Sequence, residues 1–286
     1  MSRRAKVLGR VAFYGAVVFG LLPLAFSQIM LRLPRQPASP VHPPFEEAFV
    51  ASEGLRLRTW TVVGRPDRAA VVAVHGLGDT LESYTEHARV LHRRGHTVLL
   101  VDLRAHGGSE GRDSTLGGRE RADVRAAARH LRERGLARAG IVLMGFSLGT
   151  AAVMGAAPDE PDVRAVVLEA PFDTARGTIA HHGWLLYRIP AWFPLGRLAL
   201  AIAGWRAGFD PDEIDLVRSA GRLRAPLFTI VDGDDPRMPE AVVRRVFDAH
   251  PGPKQIWVAP GVPHVGASVH PDYWTRVVGF FEAHGV

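Results

Sequence analysis

Residues 140–149, Gly-Ile-Val-Leu-Met-Gly-Phe-Ser-Leu-Gly, decide how this chain reads. A short run that is apolar on both faces, Ile141 to Met144, leads straight into Gly145-Phe146-Ser147-Leu148-Gly149, and small residues follow at helical spacing. Strand, turn and helix succeed one another without a linker. A turn this sharp forces its central residue into strained dihedrals and leaves no room for side chains at the flanking positions, so glycine stands on both sides. The Ser147 hydroxyl is thereby lifted to the edge of a sheet, at a helix N-terminus. A bare G-x-S-x-G arises often by chance as a glycine-rich turn, and it is the setting that marks Ser147 as a nucleophile.

Outward from this stretch, apolar strand-like runs alternate with helical ones. The strands are expected at Ala70 to Val74, Thr97 to Asp102, Gly140 to Met144, Val163 to Glu169, Pro226 to Val231 and Lys254 to Ala259, with Leu55 to Val63 on an antiparallel margin. Helical spacing marks Leu81 to Arg94, Gly118 to Arg134, Leu148 to Ala157, Pro239 to His250 and Pro271 to His284. Strands apolar on both faces with helices between them predict a mostly parallel sheet, with chemistry at the carboxyl ends of its strands. There, His75-Gly76-Leu77-Gly78-Asp79 follows the first central strand. Acyl transfer places negative charge on a former carbonyl oxygen, and two fixed backbone N–H groups meet it best; the donors expected here are those of Leu77 and Leu148. His75, leading a loop packed beside the strand end, is read as a structural hydrogen-bonder.

The combined pattern resembles the α/β-hydrolases, most closely the membrane-anchored serine hydrolases of the monoacylglycerol-lipase-like and serine-aminopeptidase-type group. It rests on the His75-Gly76 loop, Asp102-Leu103-Arg104-Ala105-His106-Gly107-Gly108-Ser109, Thr115-Leu116-Gly117 with Glu120 and Asp123, Gly145 to Gly149, and Glu169-Ala170-Pro171-Phe172-Asp173. The resemblance implies an acid after the strand ending near Val231. Asp232-Gly233-Asp234-Asp235-Pro236 is one residue shorter than the family pattern; Asp235 fits its downstream half, with Asp234 as the alternative. It also implies a base between the last strand and the last helix, where Gly261-Val262-Pro263-His264 fits, with His270 the competitor. His264 takes the Ser147 proton while the acid holds its tautomer. The implied activity is cleavage of carboxylic esters, lipid-like or otherwise apolar, through an acyl-Ser147 intermediate with no metal or organic cofactor. Amide, peptide or thioester hydrolysis, or a catalytically silent anchored binding protein, are the alternatives.

Residues 174–210 interrupt the alternation and carry Trp184, Trp192 and Trp205 among leucines, which is read as a cap over Ser147 with Trp184 and Trp192 in substrate binding. Equally, these side chains can serve only to pack the cap or touch a bilayer. Residues 11–31 lack charge and are long enough to span hydrocarbon. Arg3, Arg4, Lys6 and Arg10 precede them, which favours a cytoplasmic N-terminus and an extracytoplasmic domain. Ala25-Phe26-Ser27 also suits a cleaved signal peptide followed by secretion. The expected organisation is a tip and anchor at 1–33, a proline-rich extended stalk at 34–44 and one hydrolase domain at 45–286.

The 286 residues contain no cysteine, which removes thiolate nucleophiles, disulfides and Cys-ligated metal. Of the formal +6, all comes from residues 1–40, whose six basic side chains face no acidic one; the remainder has 29 basic against 29 acidic residues. The charge is the flank of a membrane segment, so a nucleic-acid partner is not expected.

Overall fold

The computed structural model describes residues 2–286. Eight strands form one sheet: β1 (Glu46–Ser52), β2 (Leu55–Val62), β3 (Ala70–Val74), β4 (Val98–Val101), β5 (Ile141–Phe146), β6 (Val163–Glu169), β7 (Leu227–Asp232) and β8 (Lys254–Ala259). Their spatial order is β1-β2-β4-β3-β5-β6-β7-β8. β1 and β2 pair antiparallel and β2 pairs antiparallel with β4, while all neighbours from β4 to β8 are parallel.

Alternate residues of the central strands feed two separate cores. Val72, Val74, Leu99, Val101 and Leu143 pack with Val124, Leu131 and Val153 on one face. Val71, Ala73, Leu100, Val142 and Met144 pack with Leu91, Phe280 and Phe281 on the other. This two-sided burial explains the uninterrupted apolar runs in the sequence. After β3 the chain moves outward to β4 and then returns to place β5 on the other side of β3. The strand order therefore reverses between β3 and β5, and a crevice opens there beyond the carboxyl ends. Leu77 and Ser147 stand on its two sides.

Helices α1 (Arg3–Ala16) and α2 (Leu22–Leu31) are joined by a π-helical turn, Val17–Leu21, into one helix of 29 residues. It is long and apolar enough to cross a membrane, a property that a signal sequence near an N-terminus can share. The π turn precedes Pro23, whose ring and missing N–H disturb the regular ladder upstream. Residues 34–44 contain no helix or strand, in keeping with their prolines, but they do not stand away from the domain. Arg35 donates to the carbonyls of Ser109 and Gly111, Gln36 donates to Gly78, and the Ser39 N–H donates to Glu82. A free stalk would leave these loop carbonyls to water alone; the side chains of Arg35 and Gln36 meet them instead.

The remaining helices are α3 (Thr85–Arg93), α4 (Glu120–Glu133), α5 (Leu148–Ala156), α6 (Ala175–Tyr187), α7 (Leu195–Ala207), α8 (Leu216–Arg222), α9 (Glu240–Ala249) and α10 (Tyr273–Ala283). α6 and α7 lie within residues 174–210, and α7 packs against α2. The edge strand β1 and the short α8 are elements the sequence reading does not anticipate.

Candidate active site

Ser147 joins β5 to α5 with φ 50° and ψ −116°, a conformation that costs a non-glycine residue strain energy. The surroundings enforce it. A Cβ on Gly145 would come within 2.7 Å of the Gly149 carbonyl oxygen, and one on Gly149 would collide with the backbone of Val74 and His75. The Ser147 N–H donates to Glu169 O at 3.0 Å and its carbonyl accepts from Thr150 N at 2.9 Å. The turn is thus pinned to β6 on one side and to its own helix on the other.

His264 lies on the loop after β8. Its Nε2 is 2.8 Å from Ser147 Oγ and its Nδ1 is 2.6 Å from Asp235 Oδ2. The Asp235 side chain is fully buried, and its other oxygen accepts from Arg237 N at 2.7 Å. Burial pushes this carboxyl up, but the hydrogen bond and charge of His264, with the amides of Arg237 and Met238, prevail and hold it below its ordinary value. It is therefore an anion beside the imidazole at neutral pH. Asp234 is exposed, and its N–H is tied to Val262 O at 2.9 Å. That bond anchors the shortened turn to the His264 loop and lets the next residue point inward. His270 is turned elsewhere: its Nδ1 accepts from Asp272 N at 3.1 Å, at the start of α10. Asp232, Asp235 and His264 bring ligand-type atoms within 4.8 Å of one another, but both ring nitrogens of His264 are already engaged by Ser147 and Asp235.

The Leu148 N–H belongs to the first turn of α5, where no intrahelical acceptor exists. Leu77 lines the same cavity from the opposite wall, and a Cβ on Gly76 would sit 3.3 Å from Ser147 Cβ, so this loop abuts the serine. His75 keeps it there: Nδ1 donates to Gly76 O at 2.7 Å and Nε2 accepts from Leu103 N at 3.0 Å. Burial first, then the nearby His106, lowers its pKa to about 3, so it is a neutral strut. Asp102 braces the loop from behind, accepting from Leu81 N and Gly108 N at 2.8 Å each. Glu120 accepts from Thr115 N at 2.7 Å and Gly117 N at 3.0 Å, which sets Leu116, at φ 56°, into the cavity wall.

The cavity above Ser147 has a volume of about 640 Å³ and also meets Tyr84, Phe172, Met238 and His264. α6 closes it with Thr178, Ile179, His182 and Leu186. Trp184 and Trp192 are not part of its lining; their side chains face outward, with Trp192 78% exposed. Trp184 follows Gly183, which faces a neighbouring apolar space, so it lies about 100° further round the helix. The tryptophans of this segment stand on its outer surface.

One pair of residues the sequence reading does not single out as functional lies directly beneath. Glu169 and Asp232 end β6 and β7, and both are buried. Glu169 Oε1 accepts from Ala267 N at 3.0 Å and Asp232 Oδ2 accepts from Val265 N at 2.7 Å. Together they grip the loop that carries His264. Their other oxygens are buried without a well-formed hydrogen bond, although the two carboxyl groups interact. Burial and then the Asp232 charge push Glu169 up to about 8; burial, with Asp235 nearby, pushes Asp232 up to about 7. A carboxyl group ending an apolar strand was the available signal, and the adjacency of β6 and β7 was what the sequence lacked.

Residues 65–198 match the family described as serine aminopeptidase, S33. An uncharacterised protein of Mycobacterium tuberculosis is 30% identical over 272 residues, covering 92% of this chain and 89% of that one. An uncharacterised protein of Bacillus subtilis is 24% identical over 221 residues, covering 76% and 72%. Among solved structures, an esterase of Pyrococcus furiosus superposes with a TM-score of 0.71 at 20% identity, covering 88% of this chain and 98% of that one. A ferulic acid-bound Est1E of Butyrivibrio proteoclasticus gives 0.62 at 16%, covering 82% and 96%. At these identities the structures speak for the fold. The match over residues 65–198 and the shared fold identify the chain as an α/β-hydrolase of the S33 serine aminopeptidase type.

Proposed function

We propose that the protein is a membrane-anchored carboxyl ester hydrolase that works through an acyl-Ser147 intermediate. The observation that carries this reading is the unbroken hydrogen-bond chain Ser147 Oγ–His264–Asp235, at 2.8 and 2.6 Å, opening onto a largely apolar cavity. In the proposed reaction, Ser147 Oγ attacks the ester carbonyl as its proton passes to His264 Nε2. Asp235 stabilises the resulting imidazolium and fixes its orientation. The Leu77 and Leu148 amides receive the oxyanion; losing one such donor typically costs about 10²–10³ in rate. Collapse expels the alcohol with the proton held by His264. Water, deprotonated by the same nitrogen, then releases the acid.

The anchor is supported by how the N-terminal helix is used. Arg206 of α7 donates to Ser27 Oγ at 3.0 Å and to Gln28 Oε1 at 2.6 Å, and the Leu31 carbonyl accepts from Ser114 N at 2.8 Å. Cleavage after Ala25-Phe26-Ser27 would leave Gln28 and Leu31 in place but remove Ser27 together with Phe19 and Phe26, which meet Phe193 and Tyr187 of the cap, and this favours a retained helix, with the domain on the side opposite Arg3, Arg4, Lys6 and Arg10.

A fluorophosphonate probe tests the chemistry. Wild type should be labelled and Ser147→Ala should not; a folded wild type that takes no label would leave the silent binding protein as the answer.

A further inference from the structure

A second cavity, of about 210 Å³, lies between the carboxyl half of the N-terminal helix and the cap. α2 contributes Phe26, Ile29 and Met30, and the opposite wall comes from α6 and α7 with the segment between them. Its lining is mostly aliphatic and aromatic, with Arg176, His182 and Arg197 as the ionisable side chains that border it. It adjoins the catalytic cavity: Leu33, Leu77, Leu116, Ile179, His182 and Leu186 line both it and the cavity over Ser147. Leu33 sits at the junction, with its Cδ1 3.3 Å from where a Gly78 Cβ would be, beside the loop that carries the Leu77 amide.

The outer end points to where the occupant comes from. Beyond α2 the same helix exposes Phe13, Phe19 and Leu21. Phe19 reaches Phe193 of the cap at 6.5 Å between ring centroids, and Phe26 meets Tyr187 edge-on at 5.3 Å. Trp192 and Trp205, 78% and 84% exposed, stand on the same cap segment. Aromatic rings around an apolar helix suit the boundary between headgroups and hydrocarbon. A channel roofed by such a helix opens where lipid tails already are.

We propose that this space is an acyl-chain passage, walled on one side by the protein's own membrane helix, through which the apolar tail of a bilayer-resident ester lies while its carbonyl meets Ser147. The proposal deepens the ester-hydrolase reading and rests on it for the site served, but tail binding itself needs no turnover. Taking the ~30 Å³ of a liquid-phase water as a unit, the passage alone holds about seven methylene-sized groups. The favoured acyl chains are medium-length or longer, and acetate leaves the passage unused. The membrane helix is then part of the binding site as well as an anchor.

Gly183 provides the obstruction. It lies on the passage wall, and a Cβ there would make only ordinary contact, 3.9 Å from Ile189 Cβ, so a larger side chain grows into the open space. Full-length protein in lipid nanodiscs should show the decanoate-to-acetate ratio of kcat/KM falling about tenfold in Gly183→Leu, the scale expected when several methylenes lose their pocket. Met30→Trp, which obstructs from the membrane helix, should do the same. An unchanged ratio in both would overturn the passage. Binding is read separately with the methyl ester of a decanoic acid bearing a terminal diazirine, photolysed on Ser147→Ala. Crosslinks should fall on peptides containing Leu116 and Ile179 and weaken in Ser147→Ala/Gly183→Leu. Crosslinks confined to residues 3–22 would overturn the passage, since the probe would then sit only in bulk lipid. Crosslinking as expected with no turnover by wild type would defeat the hydrolase reading and leave the passage standing.

Discussion

The sheet and the cap with its adjoining helix are held together by different means. At the sheet edge every polar atom that reaches Ser147 is fixed by others: His264 by Asp235, its loop by Glu169 and Asp232, the Leu77 loop by His75 and Asp102. The cap and the N-terminal helix meet through apolar and aromatic side chains, with Arg206 as their polar tie. Directional bonds hold atoms to within fractions of an ångström, which proton transfer requires. Apolar contacts are adaptable, which suits a surface that admits tails of different length. On the proposed mechanism and the proposed passage, chemistry and selection rest on separate layers, and variants of each should fail differently.

The largest effect belongs to the rigid layer. Asp235→Asn should reduce kcat by about 10⁴, because an amide cannot stabilise the imidazolium and favours the wrong tautomer. Asp234→Asn, altering an exposed side chain, should stay within about twofold of wild type. Parallel assays on short and long esters should show both variants affecting all chain lengths alike. A greater loss in Asp234→Asn would remove Asp235 from the role of acid.

Next in size is a pH effect from beneath the site. Glu169 has its pKa raised in the fold, chiefly by burial and then by Asp232, to about 8 against an ordinary 4.5. Such a group keeps a proton that the unfolded chain releases, so its contribution to stability falls as pH rises above the unfolded value and levels off near the folded one. The slope is about 1.4 kcal/mol per pH unit for one proton. Glu169→Gln keeps an oxygen for the Ala267 amide and removes the ionisation. Between pH 6 and 8 its denaturation midpoint should therefore fall less steeply than that of wild type; equal slopes would mean that the pair holds no extra proton.

How far the sequence reached follows the same division. Central strands such as Ala70–Val74 and Val98–Val101 are legible because two-sided burial leaves a run with no polar interruption. Ser147, His264 and Asp235 could be located because each follows a strand whose order was readable, and the structure brings these three side chains together. β1 escaped because it opens with Glu46 and Glu47 and is mostly exposed, so it carries little apolar signal. The Glu169–Asp232 pair escaped because the sequence separates by more than sixty residues what the sheet sets side by side. Trp184 and Trp192 are misplaced by composition for a physical reason: the cap meets the apolar N-terminal helix and exposes large aromatic side chains on its outer surface, so apolar content does not tell its two faces apart.

The smallest effect tests whether the layers are independent. Arg206→Met keeps much of the aliphatic stem that covers α2 and removes both hydrogen bonds to it, while Ser27 Oγ can still donate to Leu24 O at 2.7 Å. No acceptor is left buried in charged form, so the loss is of the order of 1 kcal/mol and local to the contact between helix and cap. The denaturation midpoint of the sheet should stay within error, because none of its strands or site loops touches Arg206 through these bonds. The decanoate-to-acetate ratio should fall by about two- to fivefold, less than in Gly183→Leu, since the passage is loosened and not filled. A lowered midpoint with uniform loss on both esters would show that the helix and cap hold the site itself in place, and the separation of chemistry from selection would have to be abandoned.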